Sequence, residues 1–236
     1  MRKYSILLLL LVTLAGCSSR ESYADPSCTE TPATTVETTI PETSQPEEIP
    51  TQPPIPESED VFVRVLDYIP TAYQELRYAT VNNFTNQVIY DFEDAYLRWG
   101  TVQKLMLVCE DLEELGLYIK IWDGFRPVSA QFTLWEVCPN PTYVANPNKG
   151  YSSHSRGNTI DLTLVDETGR EVEMPTGFDD FSAKADRNYS DCTENAGNNA
   201  KLLEILMEKH GFSAYYGEWW HYSDTNGYPV ETVFEP

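Results

Sequence analysis

The chain contains three histidines, His154, His210 and His221, and their surroundings differ in chemical character. His154 lies in Ser152-Ser153-His154-Ser155-Arg156-Gly157, a polar turn ahead of a strand-like run that carries Asp161. Gly157 lets the backbone fold tightly between the two. A carboxylate in mid-strand between Ile160 and Leu162 is costly unless it is paired, solvated or bound to a metal. His221 closes Glu218-Trp219-Trp220-His221. Two imidazoles and one carboxylate make a three-ligand set for Zn2+, with a fourth position left to water. Glu218, three residues before His221, is placed to take a proton from that water, whose pKa the metal would lower while polarising a scissile carbonyl. No HExxH is present. The same residues also suit a purely structural arrangement, with His154 capping a turn, Asp161 paired with a basic side chain and His221 satisfied in the core. His210, just before Gly211, reads as an imidazole meeting a helix C-terminal dipole.

The elements that must position these groups are visible in the apolar pattern. From Leu97 to Leu115, Val102, Leu105, Val108, Leu112 and Leu115 recur at helical spacing, and Gly116 stands where a helix C′ glycine belongs. Leu117, Ile119 and Ile121 alternate with Tyr118, Lys120 and Trp122, as in a half-buried strand, which Asp123-Gly124-Phe125-Arg126-Pro127 ends in a turn. Asn158 to Val165 alternates again, with Ile160, Leu162 and Leu164 on one face and Asp161 and Thr163 on the other. A second amphipathic helix is expected over Asn199–His210, and a last short strand near Trp219–Tyr222. Helices and strands interspersed with long loops favour an α+β fold, a single domain with a central antiparallel sheet flanked by helices.

Ser152–Leu164 (SSHSRGNTIDLTL) and Glu218–Tyr222 (EWWHY) resemble the two zinc motifs of the D-alanyl-D-alanine dipeptidases. The resemblance extends to Tyr78-Ala79-Thr80 with Asn83-Phe84-Thr85, to Trp122–Pro127 (WDGFRP), to Phe178-Asp179 and to the Met207–Phe212 helix end. It spans roughly residues 62–225, with the motifs in family order. It implies a zinc D,D-peptidase fold with one Zn2+ per domain, held by His154, Asp161 and His221. It further implies Glu218 as general base, Arg126 as the cation that stabilises the oxyanion, and Ser152 and Asp179 at the amino end of a D-Ala-D-Ala substrate. A fixed oxyanion donor is typically worth about 3–4 kcal/mol. By itself Arg126 reads equally well as a surface salt-bridge residue, and Asp180 competes with Asp179. The sequence departs from the pattern at Phe92, about where vancomycin-resistance members place a substrate-contacting tyrosine, at Thr159 in place of a small Ala, and in a shorter stretch over 135–151. Trimming of peptidoglycan stems by a D,D-carboxypeptidase, and a non-catalytic zinc domain that binds the wall, are the competing expectations. Glu218 and Arg126 together argue against the second, because binding alone requires neither.

The remainder of the chain bears on location. Met1-Arg2-Lys3 precedes an apolar stretch, Ile6 to Leu14, and then Leu14-Ala15-Gly16-Cys17. Such a run is too short to cross a hydrocarbon core of about 30 Å but suits a signal peptide. Leu-Ala-Gly-Cys resembles a bacterial lipobox, which implies a signal peptide over 1–16, lipidation of Cys17 and an extracytoplasmic enzyme anchored to the bacterial cell membrane by acyl chains alone. Residues 18–60 hold eight prolines, eight threonines and ten acidic residues against one basic one. A segment so poor in apolar surface cannot offset its ordering entropy, so 17–60 reads as a disordered tether reaching up to ~130 Å. The domain is expected over 61–236. With 37 acidic against 16 basic residues and a net charge of −21, nucleic acid is excluded as a partner. Cys109 falls in a helical pattern and reads as core, whereas Cys138 and Cys192 lie in loop-like surroundings where a bridge is conceivable.

Overall fold

The computed structural model describes residues 53–236. The expected signal peptide over 1–16, Cys17 and the expected tether as far as residue 52 lie outside the described residues. Strand β1 (Phe62–Arg64) leads into a single helical turn, α1 (Val65–Tyr68), and then into the two-residue strand β2 (Tyr73–Gln74). Strand β3 (Tyr96–Arg98) runs directly into α2 (Trp99–Glu113), followed by β4 (Tyr118–Asp123) and α3 (Val128–Val137). The chain then forms β5 (Thr159–Val165), α4 (Glu194–Lys209), β6 (Phe212–Ala214) and β7 (His221–Asp224).

The main sheet has the order β2-β4-β5-β7-β6, and a separate two-stranded sheet pairs β1 with β3. The fold is α+β, as expected, but the main sheet is mixed: β2 pairs parallel with β4, and the other three pairings are antiparallel. The parallel edge was not legible because two residues, Tyr73 and Gln74, are too short to show an alternation. Ile119, Ile121, Ile160, Leu162 and Leu164 are all buried. Helices α2 and α4 contact each other as well as the sheet, α2 through Val102, Leu105, Val108 and Leu112, and α4 through Ala200, Leu203 and Met207. Both sets recur at three- and four-residue intervals, one face of a helix turned to the core. At about 25 cal/mol per Å² of apolar surface, this burial is the main favourable contribution to folding.

Several boundaries differ from the sequence expectation. The first long helix begins at Trp99, because Leu97 and Arg98 pair with Val63 and Phe62 in the small sheet. It ends near Gly116, which adopts φ +69°, and leaves Leu115 exposed. The second begins five residues earlier than its apolar pattern, at Glu194, because the Thr193 hydroxyl accepts a hydrogen bond from Ala196 N at 3.1 Å and caps it. Its first turns carry Asn195, Gly197, Asn198 and Asn199, weak helix formers that hide the element from periodicity. Trp219 and Trp220 lie in a turn, and the last strand starts at His221. Cys109 is buried, and Cys138 and Cys192 are free thiols rather than a disulfide.

Candidate active site and metal centre

Sheet register assembles the site. Asp161 on β5 stands opposite Asp123 on β4 and opposite His221 on β7, so three neighbouring strands align an acid, an acid and an imidazole in one row. The β4–β5 pairing shifts register between Ile121 and Asp123, an irregularity that re-aims Asp123. His154 comes from the 3-10 turn Ser153–Arg156 ahead of β5. The Ser152 hydroxyl caps that turn by accepting from His154 N at 3.3 Å, and Gly157 ends it at φ +72°. A Cβ at Gly157 would lie 2.3 Å from the Phe62 ring, so close packing as well as backbone conformation calls for glycine there.

His154 Nε2 lies 3.4 Å from Asp161 Oδ2, and His221 Nδ1 lies 2.9 Å from Asp161 Oδ1. One ligand atom from each of the three residues falls within 4.8 Å of the others. His154 Nδ1 is 2.8 Å from the Gly124 carbonyl, to which it donates in the tautomer that leaves Nε2 as an acceptor. Asp161 Oδ1 is buried with no hydrogen-bond donor in acceptable geometry, despite the nearby imidazole. Two imidazole nitrogens and a carboxylate, one of whose oxygens is buried without a donor, fit a divalent ion of zinc's preferences. Burial opposes the charge on Asp161, but His154 and His221 outweigh it and hold the carboxyl well below the usual carboxylate range.

Glu218, Arg126 and Ser152 line the same cleft, of about 340 Å³. Glu218 Oε2 lies 3.6 Å from His221 Nδ1, and burial pushes the Glu218 carboxyl above its ordinary value, with His221 pulling the other way. Arg126 is buried rather than on the surface. Its Nη2 donates to Asp123 Oδ2 at 2.5 Å, its Nη1 to Gln131 Oε1 at 3.0 Å and its Nε to the Tyr90 hydroxyl at 3.2 Å. Its guanidinium also sits 5.0 Å from the centre of the Tyr78 ring. Burial works against that charge, and Asp123 outweighs it. Of the five N–H donors of an arginine, three are thus engaged and two remain.

Asp179 does not line this cleft; it lines a neighbouring hollow and reaches the cleft wall through Tyr78, its Oδ1 accepting from the Tyr78 hydroxyl at 3.1 Å and its Oδ2 from Phe84 N at 3.4 Å. Burial first, and then the charge of Asp161, push its carboxyl up to about 7. Its backbone is at φ +59°, a region that non-glycine residues occupy only where the surroundings hold them. Asp180 instead accepts from Ser182 N in an exposed turn. Ser152 is buried and lines the cleft, its hydroxyl already engaged by His154 N. Phe92 stacks on Tyr90 at 4.6 Å, and it is the Tyr90 hydroxyl that reaches Arg126 and Asp123. His210 lies away from the cleft, with Nε2 2.6 Å from Asp111 Oδ2.

Asp123, Tyr90, Gln131 and Tyr78 were not singled out individually by the sequence. Asp123 had a local signal, an acid three residues before an arginine in WDGFRP. Tyr90 had none, since it lies 36 residues from its arginine partner.

Residues 58–234 match the family model described as D-ala-D-ala dipeptidase, peptidase M15. A D-alanyl-D-alanine dipeptidase of Escherichia coli (strain K12) is 36% identical over 148 residues, covering 63% of this chain and 76% of that protein. One of Enterococcus faecalis is 33% identical over 168 residues, covering 63% and 83%. One of Streptomyces coelicolor is 32% identical over 185 residues, covering 68% and 90%. Among solved structures, a vancomycin resistance D,D-dipeptidase in complex with a D-Ala-D-Ala phosphinate analogue is 20% identical, with a TM-score of 0.38, and the match covers 58% of this chain and 53% of that one. A mutant vancomycin resistance D,D-pentapeptidase in complex with Zn(II) is 16% identical, with a TM-score of 0.37, covering 64% and 89%.

Proposed function

Because this chain belongs to the D-alanyl-D-alanine dipeptidase family and is a peptidase, we propose that it hydrolyses D-Ala-D-Ala-type dipeptides in peptidoglycan-related metabolism, with zinc held by His154, Asp161 and His221. The observation that carries this reading is the convergence, in one cleft, of that ligand set with the Glu218 carboxylate and the buried Arg126 guanidinium. Zinc bound there supplies a Lewis acid that acidifies water and polarises the peptide carbonyl.

The chain's own groups do the rest. Glu218 takes the proton of the attacking water on its carboxylate and delivers it to the leaving amine, a role that its raised proton affinity suits. Arg126 is fixed by Asp123, Gln131 and Tyr90, so its two remaining N–H groups meet the carbonyl oxygen as that oxygen gains negative charge. A donor already held in place costs no reorganisation at that moment. Asp179 receives the substrate ammonium, whose charge favours the ionised carboxylate that burial otherwise opposes. Ser152 positions His154 and borders the same end of the substrate.

One feature supports a second reading, trimming of longer stem peptides. A hollow of about 440 Å³, lined by Phe84, Tyr143, Asp179, Asp180, Phe181 and Ser182, adjoins Asp179 and offers room for a chain continuing beyond the amino end. Amine release by the zinc-loaded protein from D-Ala-D-Ala, N-acylated D-Ala-D-Ala and L-Ala-L-Ala, with Glu218→Ala as the blank, separates the readings. Cleavage of the free D,D-dipeptide alone supports the dipeptidase; cleavage of the acylated form moves the enzyme to stems; no Glu218-dependent release from any of the three counts against both. We further propose that Cys17 is lipidated and holds the enzyme at the outer face of the cell membrane. Labelled fatty acid entering the wild-type chain but not Cys17→Ala is the expected result, and equal labelling refutes it.

A further inference from the structure

Arg187 belongs to none of the motifs above, yet its side chain is only 4% exposed and reaches the loop that carries Glu218 and His221. Its Nε donates to the Tyr215 carbonyl at 2.8 Å, and its Nη2 donates to the carbonyls of both Glu218 and His221 at 3.1 Å. Its Nη1 faces the hydroxyls of Tyr222 and Tyr189 at 3.0 and 3.2 Å and Glu204 Oε2 at 3.3 Å. The guanidinium carbon lies 4.5 Å from the centre of the Tyr222 ring. The main chain follows suit: Arg187 N donates to the Tyr216 carbonyl at 3.0 Å, and Trp219 N to the Ala185 carbonyl at 2.9 Å.

The loop between β6 and β7 has three internal backbone bonds, from Tyr215 N to His221 O at 3.1 Å and, both long at 3.3 Å, from Glu218 N to Tyr215 O and from His221 N to Glu218 O. Each of these carbonyls keeps a second lone pair for a further donor, and Arg187 takes all three. A planar guanidinium spreads five donors over three nitrogens in a fixed fork, enough to serve three carbonyls and still face two hydroxyls and a carboxylate, whereas an ammonium has three donors on one nitrogen. The three it serves are evenly spaced, at residues 215, 218 and 221. Holding the last two from one nitrogen fixes the backbone distance between the residue read as general base and the residue read as metal ligand.

We propose that Arg187 is a positioning residue that sets the placement of the Glu218 carboxylate against the His221 imidazole, and through them governs both turnover and metal retention. The proposal rests on the roles given to Glu218 and His221 above. Arg187 takes no part in the reaction itself, because its donors are directed at three loop carbonyls, two tyrosine hydroxyls and Glu204, and it does not line the cleft.

The test compares wild type with Arg187→Lys, Arg187→Ala and Glu204→Gln, each assayed for steady-state hydrolysis of D-Ala-D-Ala, for Zn2+ affinity by competition with a chromophoric chelator, and for Tm. Outer-shell partners and small misplacements typically cost 10–100-fold. For Arg187→Lys we expect kcat about 10–100-fold lower with KM within about threefold, and a Zn2+ Kd raised about tenfold or more. Millimolar methylguanidinium should restore part of both in Arg187→Ala. Glu204→Gln, which leaves the three carbonyl contacts in place, should lower Tm while changing kcat and Zn2+ affinity less than about twofold. A lower Tm in Arg187→Lys with kcat and Zn2+ affinity unchanged would show a merely structural arginine and overturn the proposal. Should Arg187→Ala not fold, Arg187→Lys decides alone, since it keeps the charge that Glu204 and the two tyrosines surround. A wild type that cleaves no D,D-peptide would refute the proposed function, and the chelator competition would still test Arg187.

Discussion

Replacing Asp123 by Asn isolates the electrostatic support of Arg126 with almost no change in volume. Asp123 is fully buried, with Arg126 Nη2 at 2.5 Å from Oδ2, and with the Tyr90 hydroxyl at 2.7 Å and Gly124 N at 2.9 Å from Oδ1. An asparagine oxygen can still accept from Tyr90 and Gly124. Its NH2, however, would face the guanidinium donor against donor, and the buried cation would lose its charge partner. Breaking a buried ion pair by removing one member costs about 3–5 kcal/mol, because the other charge is left uncompensated. Urea unfolding of Asp123→Asn should therefore show a loss of about 3–5 kcal/mol with an unchanged m-value. If Arg126 no longer meets the developing oxyanion, kcat/KM should fall by about 10²–10³-fold. Arg126→Met should match that kinetic loss, and the double variant should be less destabilised than the two singles combined, by at least about 2 kcal/mol. A loss below about 1 kcal/mol in Asp123→Asn with unchanged kcat/KM would refute the reasoning, because it would mean that the guanidinium keeps its place without its counter-ion.

Glu218→Ala should bind Zn2+ as wild type does and lose at least about 10²-fold in kcat, whereas His221→Ala should lose the metal; zinc analysis after gel filtration distinguishes them, and full occupancy in the His221 variant would overturn the ligand assignment. Asp179 gives a pH signature in the metal-free protein. With the folded carboxyl at about 7 and the unfolded one at about 3.9, only the folded chain holds the proton between the two values. Stability is thus lost as pH rises through that window, by at most about 4 kcal/mol, and the loss should be absent in Asp179→Asn; parallel urea curves at pH 5 and 8 in both proteins would count against it. Gly157→Ala should destabilise by about 2–4 kcal/mol, since it combines φ +72° with a Cβ driven into the Phe62 ring, and a Tm within 2 °C of wild type, roughly 1 kcal/mol or less, would contradict that packing.

What the sequence determined is what neighbouring residues impose on one another. The SSHSRG turn, the alternation that turns Asp161 away from Ile160 and Leu162, and the strand from Leu117 onward all follow from side chains within a few positions. They are legible for that reason, and the candidate group His154, Asp161 and His221, with Glu218 beside it, came with them. The helix starts at Trp99 and Glu194 were misplaced because a long-range strand pairing and a cap, not apolar period, set them.

Tertiary structure alone decided that Arg126 is buried in the company of Asp123, Tyr90 and Gln131, and that Asp179 rather than Asp180 accepts from Tyr78 in the cleft wall. It also brought Arg187 to carbonyls as many as 34 residues away. No local pattern encodes such meetings, because they depend on strand register, a bulge in β4 and the path of loops whose ends are joined only through the sheet. Residue type sets what a group can do, and the packing that brings distant segments together sets its charge state, its partners and its distance from the reaction.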